Sequence, residues 1–414
     1  MRVTFFYRRD LMPAEYLVPL LRSDVKTKIV LLIMDGLGGL PVQPGGLTSL
    51  EAAATPHMDR LAAEGSLGRT VPIRPGVTPG SGPAHLALFG YEPLKYLVGR
   101  GVMEALGVGM RVAPGDVAAR GNFCTLDAQG HISDRRAGRI PSEEAKPIVE
   151  SLQAIRLEGA KAEVRHVKEY RFALVLRGAG LKGEIEDTDP QITGAAPLPA
   201  AARNSGSKKA AKLFNQWMAK AQKILAKQPK ANGLTLRGFG SDPKLPKYQD
   251  VYGLRAACVA AYPMYRGAAK LVGMDVIQFS GENPADEFAA VSAIWEDHDF
   301  VFIHVKKTDS MGEDGNFAGK VKVIESVDQA LPALMGLKPD VVAITGDHST
   351  PVPMRTHSWH PVPLLLWSAK NALPDEQTKF GESYCAKGGL GTLPATDLMP
   401  LLLAHAGRLE KFGA

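Results

Sequence analysis

Three apolar runs in this sequence lead into an aspartate. Ile29–Met34 runs into Asp35-Gly36. Phe300–Val305 leads through Lys306, Lys307 and Thr308 to Asp309. Val341–Thr345 runs through Gly346 into Asp347-His348. Short continuous apolar runs suit strands buried on both faces of a parallel sheet. Ligand sites of open α/β sheets form beyond the carboxyl ends of such strands. If the three runs end at one edge, their carboxylates share a crevice and repel each other unless a divalent cation lies between them. Asp347-His348 adds adjacent oxygen and nitrogen donors, a pairing suited to a transition metal. His357 follows nine residues after His348, and His360 three after that. A single strand-end Asp-Gly also reads as a turn residue or helix cap; it is the set of three, with the histidines, that predicts a metal site.

A second candidate is the serine of Pro79-Gly80-Ser81-Gly82-Pro83-Ala84-His85. It is expected in a Gly/Pro loop just before a helix over 84–89. Free N–H groups at a helix start attract anions, and a serine there suits a phosphate-accepting nucleophile if a metal lowers its pKa. A plain N-cap is the competing reading.

These residues need a scaffold. Of the 414 residues, 45% are hydrophobic and 22% charged, which excludes wholesale disorder, and 43 Gly with 30 Pro follow no fibrous period. A helix is expected over 48–64, divided by Pro56. Strands are expected at 28–34, 299–305, 340–345 and 363–367, separated by helices such as 284–296 and 319–335. Strands alternating with helices imply a mostly parallel sheet with helices on both faces. Between them the pattern changes: within 164–177 an alternating strand-like run passes through Ala173, Leu174, Val175 and Leu176, followed by an Ala/Pro-rich connection over 195–202 and an amphipathic helix over 207–227. The expected organisation is an N-terminal extension (1–24), an α/β domain formed by 25–112 and 251–414, and a smaller α+β domain (113–250) inserted into it.

The three cysteines, Cys124, Cys258 and Cys385, are too few and scattered for a disulfide framework, so a reducing, cytoplasmic setting is expected. No apolar run approaches the roughly 20 residues of a membrane span. The cluster Phe5, Phe6, Tyr7 is interrupted by Arg8, Arg9 and Asp10, unlike a signal peptide. Net charge is +6, and no acidic residue lies between Asp189 and Asp242, where there are nine Lys or Arg. Most of these lysines fall on the polar side of the 207–227 helix. A solvated face, not nucleic-acid binding, is the expected role, with steering of an anionic substrate as a further one.

Several longer motifs carry a resemblance. Met34-Asp35-Gly36-Leu37-Gly38, Ser49-Leu50-Glu51-Ala52-Ala53, Thr55-Pro56-His57-Met58-Asp59, Pro79-Gly80-Ser81, Leu88-Phe89-Gly90-Tyr91-Glu92-Pro93 and Gly99-Arg100-Gly101 come first. Asp116-Val117-Ala118-Ala119-Arg120-Gly121-Asn122-Phe123 and Asp134-Arg135-Arg136-Ala137-Gly138-Arg139-Ile140 follow. His304-Val305-Lys306-Lys307-Thr308-Asp309, Gly346-Asp347-His348-Ser349-Thr350-Pro351 and His357-Ser358 complete the series. In this order they resemble the archaeal-type cofactor-independent phosphoglycerate mutases of the alkaline phosphatase superfamily.

The resemblance implies an alkaline-phosphatase-like α/β domain with an inserted cap, and two divalent ions, Mn²⁺ or Mg²⁺. Asp35, Ser81, Asp347 and His348 would hold one ion; Asp309 and His357 would help hold the other. Ser81 would take the phosphoryl group of 3-phosphoglycerate and return it to the 2-hydroxyl of the retained glycerate. Arg120, Arg135, Arg136 and Arg139 would bind carboxylate and phosphate, and Asp134 would handle the hydroxyl proton. Two positions depart from the pattern. Glu313 stands where the family places a histidine, which favours Mn²⁺ or Mg²⁺ over zinc in an oxygen-rich site. Gly82-Pro83 follow Ser81 in place of an acidic and a small hydroxyl residue. These departures leave room for a related phosphotransferase, such as a proposed homoserine kinase, or for a phosphatase. Oligomeric state is not legible.

Overall fold

The computed structural model describes residues 15–413; the Phe5-Phe6-Tyr7 cluster lies outside them. The described chain separates into two compact units. One comprises residues 15–96, Leu245–Ala261 and the chain from Val272 onward. The other comprises Leu97–Lys244 with Tyr262–Leu271.

The first unit is built on an eight-stranded sheet. Ile29–Met34 lies at its centre, parallel to Phe300–Val305 on one side and Val341–Thr345 on the other. Every residue of these three strands is buried, as their unbroken apolar runs require. Ala256–Ala260 and Asp275–Val276 extend one edge in parallel. On the other side Val362–Ser368 is antiparallel to both Val341–Thr345 and Ser66–Val71, and Gly391–Pro394 then runs parallel to Ser66–Val71. The sheet is thus mostly parallel, as expected, with one reversal.

That reversal has a local cause. A parallel return needs a crossover, usually a helix, and no helix forms between Thr345 and Val362. The chain therefore turns back at the edge where it arrived. Its turning segment carries both His348 and His357, so both stay at the carboxyl edge of the central strands. The register aligns that edge: Met34 pairs with Val305, and Ile33 with Thr345.

The helices hold the sheet through apolar stripes. Ile324, Val327, Leu331 and Leu334 of helix Phe317–Met335 join Val30, Leu32, Ile303 and Ile344 in one core; each such side chain contributes about 1.5–3 kcal/mol on burial. Pro56 splits the expected helix into Ser49–Ala52 and Pro56–Glu64. Thr48 and Glu51 form a capping box on the first. The buried Asp328 accepts the N–H groups of His57 and Met58 at the start of the second.

The second unit contains an antiparallel sheet in the order Ile132–Asp134, Asp116–Leu126, Arg171–Arg177, Lys161–Lys168, with Gly233–Gly240 paired to Asp116–Leu126. The strand-like run through Ala173, Leu174, Val175 and Leu176 lies, as expected, in a strand, Arg171–Arg177; it pairs with Lys161–Lys168 in a hairpin turned at Glu169, whose φ is +50°. Helix Lys208–Leu225 buries Leu213, Phe214, Trp217, Ala221 and Leu225, while Lys208, Lys209, Lys212, Lys220 and Lys223 are exposed. Helices Arg100–Gly107 and Pro263–Leu271 also belong to this unit. They approach so closely at Gly267 that a Cβ there would sit 1.6 Å from the Met103 carbonyl oxygen.

Candidate metal centre

The three strand-end carboxylates converge. Asp35 directly follows its strand, and Asp347 follows its own by two residues. Asp309 lies in the first turn of helix Lys307–Glu313, which begins two residues after Val305. All three are at most 2% exposed. Their donors and two histidines form two groups compact enough to hold an ion: Asp35, Asp347 and His348, and Asp309, His348 and His357. His348 belongs to both. Its Nε2 lies 3.3 Å from both Asp35 Oδ1 and Asp347 Oδ2, and its ring stacks on that of His357 at 3.6 Å between centroids. His357 Nε2 lies 3.6 Å from Asp309 Oδ1. Mixed carboxylate and imidazole donors suit a divalent metal.

Neighbouring groups orient these donors. His357 Nδ1 donates to the Pro79 carbonyl at 3.0 Å, which aims Nε2 into the group. Thr350 Oγ1 donates to Asp309 Oδ1 at 2.8 Å and so accepts from His348 Nδ1 at 3.0 Å, leaving Nε2 to face Asp35 and Asp347. Thr308 Oγ1 donates to the Asp35 carbonyl at 2.5 Å.

The electrostatics fit a cation site. Asp347 Oδ2 is buried and accepts no hydrogen bond. Burial, then the Asp35 carboxylate, push the Asp347 carboxyl well above the usual range. Asp35 is equally buried, but the Lys306 ammonium and the His304 and His348 rings hold its carboxyl well below that range. Burial opposes charge on His348, yet Asp347 and Asp35 raise it to about 9. Both upward shifts favour the protonated forms, the direction expected where neighbouring buried carboxylates lack a neutralising cation. Burial, then His348, lower His357, which keeps that ring neutral and ready to ligate.

Ser81 is the first residue of helix Ser81–Leu88, which begins three residues earlier than expected. Gly80 is the N-cap, and no side chain caps this end. The serine Oγ is 3.4 Å from His348 Nε2. One turn on, His85 Nδ1 donates to the Ser81 carbonyl at 2.8 Å and lies 3.3 Å from Asp347 Oδ2. Burial, then His304, lower His85 to about 3, so it acts as a neutral brace. Glu313 is 56% exposed, outside both groups, with Oε1 4.0 Å from His357 Nε2. His360 is also outside them; its Nδ1 meets Ser358 Oγ.

Sequence reasoning assigned no role to His85, His304, Lys306 or Thr350. Lys306 Nζ lies 2.9 Å from Asp35 Oδ2 and also contacts Asp309 Oδ2. His304 Nε2 is 3.4 Å from Asp35 Oδ2. Two signals were available: a histidine inside the apolar run 300–305, and a histidine one helical turn after Ser81.

In the inserted unit the expected substrate arginines differ in their commitments. Arg120 is buried, with Nε on Asn122 Oδ1 and Nη1 3.2 Å from the fully buried Glu104. Arg135 forms a two-pronged pair with Asp189, at 3.2 and 2.8 Å. Arg136 and Arg139 are exposed. Asp134 organises their turn, accepting the N–H groups of Arg136 and Gly138. Ala137, Gly138 and Arg139 all have positive φ, at 48°, 64° and 50°. This conformation costs an L-residue about 1–2 kcal/mol, and such strain is concentrated at functional sites.

Known proteins resemble this chain in sequence and in fold. Residues 62–231 match the family model described as 2,3-bisphosphoglycerate-independent phosphoglycerate mutase. A Thermus thermophilus protein named as a probable enzyme of this kind is 50% identical, the match covering 95% of this chain and 98% of the relative. A Thermotoga maritima protein with the same name is 50% identical over 95% and 97%. Among solved structures, a Pyrococcus horikoshii protein has a TM-score of 0.81 at 34% identity, covering 94% of this chain and all of that one. The cofactor-independent phosphoglycerate mutase of Thermoplasma acidophilum has a TM-score of 0.68 at 30% identity, covering 92% and 100%. The fold is an α/β sheet carrying two candidate metal-ligand groups, with an inserted antiparallel unit. The chain belongs to the 2,3-bisphosphoglycerate-independent phosphoglycerate mutase family.

Proposed function

We propose that this enzyme interconverts 3-phosphoglycerate and 2-phosphoglycerate through phosphorylation of Ser81. The observation that carries the reading is the Ser81 hydroxyl, at a helix start and 3.4 Å from His348 Nε2, beside the Asp35–Asp347–His348 group. Asp35, Ser81, Asp347 and His348 would hold one divalent ion, and Asp309 and His357 the other, with Glu313 approaching from the exposed side. Bound there, Mn²⁺ or Mg²⁺ would lower the serine pKa and stabilise charge on the attacking and leaving oxygens.

The protein's own groups then do the following. Ser81 Oγ attacks phosphorus, and the bond from phosphorus to the substrate's 3-oxygen breaks. The Ser81 proton goes to that departing oxygen. The 2-hydroxyl of the retained glycerate attacks the phosphoserine and gives up its proton, and Ser81 regains a hydroxyl. Asp134, whose oxygens keep lone pairs beyond their backbone bonds, would relay the glycerate proton. Arg120, Arg136 and Arg139 would bind carboxylate and phosphate. Arg135 would join them only by giving up part of its pairing with Asp189.

The reaction is a step of glycolysis and gluconeogenesis. A cytoplasmic setting is supported by Cys124, Cys258 and Cys385, all buried free thiols, and no helix among the described residues is long and apolar enough to cross a membrane. The test is interconversion of the two phosphoglycerates without ATP or 2,3-bisphosphoglycerate, dependent on Mn²⁺ and abolished by EDTA. Net release of inorganic phosphate would make the enzyme a phosphatase, and ATP consumption dependent on homoserine a kinase.

A further inference from the structure

Helix Phe317–Met335 carries a lysine where its packing would favour an apolar residue. Lys320 is fully buried, and none of the chemistry above uses it. Its ammonium donates to three backbone carbonyls: Gly36 at 2.8 Å, Thr350 at 2.9 Å and Gly38 at 3.2 Å. An ammonium has three donors, so each proton has an acceptor.

The acceptors are not scattered. Gly36 follows Asp35, and Gly38 lies two residues further along the same loop. Thr350 lies two residues after His348, and its hydroxyl holds both Asp309 and His348 Nδ1. The Thr350 N–H also donates to the Gly36 and Gly38 carbonyls. Nearby, Glu382 accepts the Gly39 N–H at 2.8 Å and the Thr48 hydroxyl at 2.5 Å, placing a compensating carboxylate on the same loop. One side chain from a helix that supplies no donor to either group thus joins the loop of Asp35 to the segment of His348.

We infer that Lys320 is a positioning residue for the metal centre: its ammonium sets the spacing of the Asp35 loop and the 347–350 segment, so that both ligand groups have their donors in place before an ion arrives. This rests on the reading of those two groups as a metal centre. A neutral side chain of similar length would still fill the space but would remove the three ammonium bonds, leaving the Thr350 carbonyl without that donor and the Gly36 and Gly38 carbonyls with only the shared Thr350 N–H, so the link between the two segments loosens. Neighbours that orient ligands typically change metal affinity 10- to 100-fold.

The test is Mn²⁺ binding measured by calorimetry on metal-stripped protein, together with thermal unfolding in EDTA. Lys320→Met is expected to stay folded and to bind Mn²⁺ about 10- to 100-fold more weakly. Lys320→Arg keeps the buried charge but cannot direct three protons to the same three carbonyls, so a smaller loss in the same direction is expected. Wild-type Mn²⁺ affinity in folded Lys320→Met, with only a lower melting temperature, would overturn the inference and leave Lys320 a packing residue. Failure of both variants to fold would overturn it in the same way. If the wild-type protein itself bound no Mn²⁺, the metal-centre reading would fail first, and the inference with it.

Discussion

The two units handle charge in opposite ways. In the sheet unit, Asp35, Asp309 and Asp347 are buried side by side, and the nearby cations, chiefly Lys306 and His348, relieve them only in part. Asp347 keeps a buried oxygen with no hydrogen bond. In the inserted unit, charges are either matched at once, as Arg135 is by Asp189, or left in water, as Arg136, Arg139 and the lysines of helix Lys208–Leu225 are. Buried like charges are costly, so their presence points to a ligand that neutralises them. Exposed charges cost little and specify little by themselves. Arg120 and Glu104 are exceptions in the inserted unit: both are buried, Glu104 Oε2 accepts no hydrogen bond, and burial, offset by Glu104, still leaves the Arg120 pKa lowered to about 10.

The contrast can be broken experimentally, beginning with the group that reacts. Ser81→Ala should lower mutase turnover by about 10⁴-fold or more while leaving the fold intact, as unchanged thermal unfolding would verify. Substantial residual turnover would mean that the phosphoryl group travels by another route.

The buried cluster should also make metal-free protein sensitive to pH. The folded His348 pKa, about 9, lies above its ordinary value of 6.5. Its contribution to stability is therefore complete below pH 6.5 and lost as pH rises toward 9. Asp347, also shifted upward, acts in the same direction. Metal-stripped protein is expected to be roughly 1–3 kcal/mol less stable at about pH 9 than at about pH 6.5. Saturating Mn²⁺ should flatten that dependence, because the ion replaces the protons. Urea unfolding at both pH values, with and without metal, measures this; a flat profile without metal would show that the carboxylates are not in electrostatic conflict.

Within the inserted unit, the buried and the paired arginine should separate. Arg120→Ala is expected to raise KM for phosphoglycerate about 10- to 100-fold, the range of a lost charge-assisted contact. Arg135→Ala should act mainly on thermal stability, with KM changed by only a few-fold. Equal KM effects would erase the distinction. The smallest effect is expected at Glu313, which is more than half exposed: Glu313→Ala should raise the Mn²⁺ concentration for half-maximal activity about two- to five-fold, in line with the modest worth of exposed charge contacts. An unchanged titration would remove it from the coordination shell.

Much of this was legible beforehand because it is local. Unbroken apolar runs announce strands buried on both faces, and the three central strands lie within one residue of their expected ends. Pro56 divides its helix because it lacks an N–H, and one arc of the Lys208–Leu225 helix is apolar. The strand through Ala173, Leu174, Val175 and Leu176 was legible too, whereas its hairpin partner Lys161–Lys168 was not, because a turn at a non-glycine residue, Glu169, carries no turn signature.

The sequence by itself determined which residue types could ligate an ion and that the strands carrying them are buried, since both follow from side-chain chemistry and short-range pattern. Only the tertiary structure decided that His348 is shared by two ligand groups, that Thr350 and His85 brace them, and that Lys320 ties their loops together. Those contacts join positions far apart in the chain, Gly36 and Thr350 among them. They exist only once neighbouring strands are in register and the chain has reversed between Thr345 and Val362.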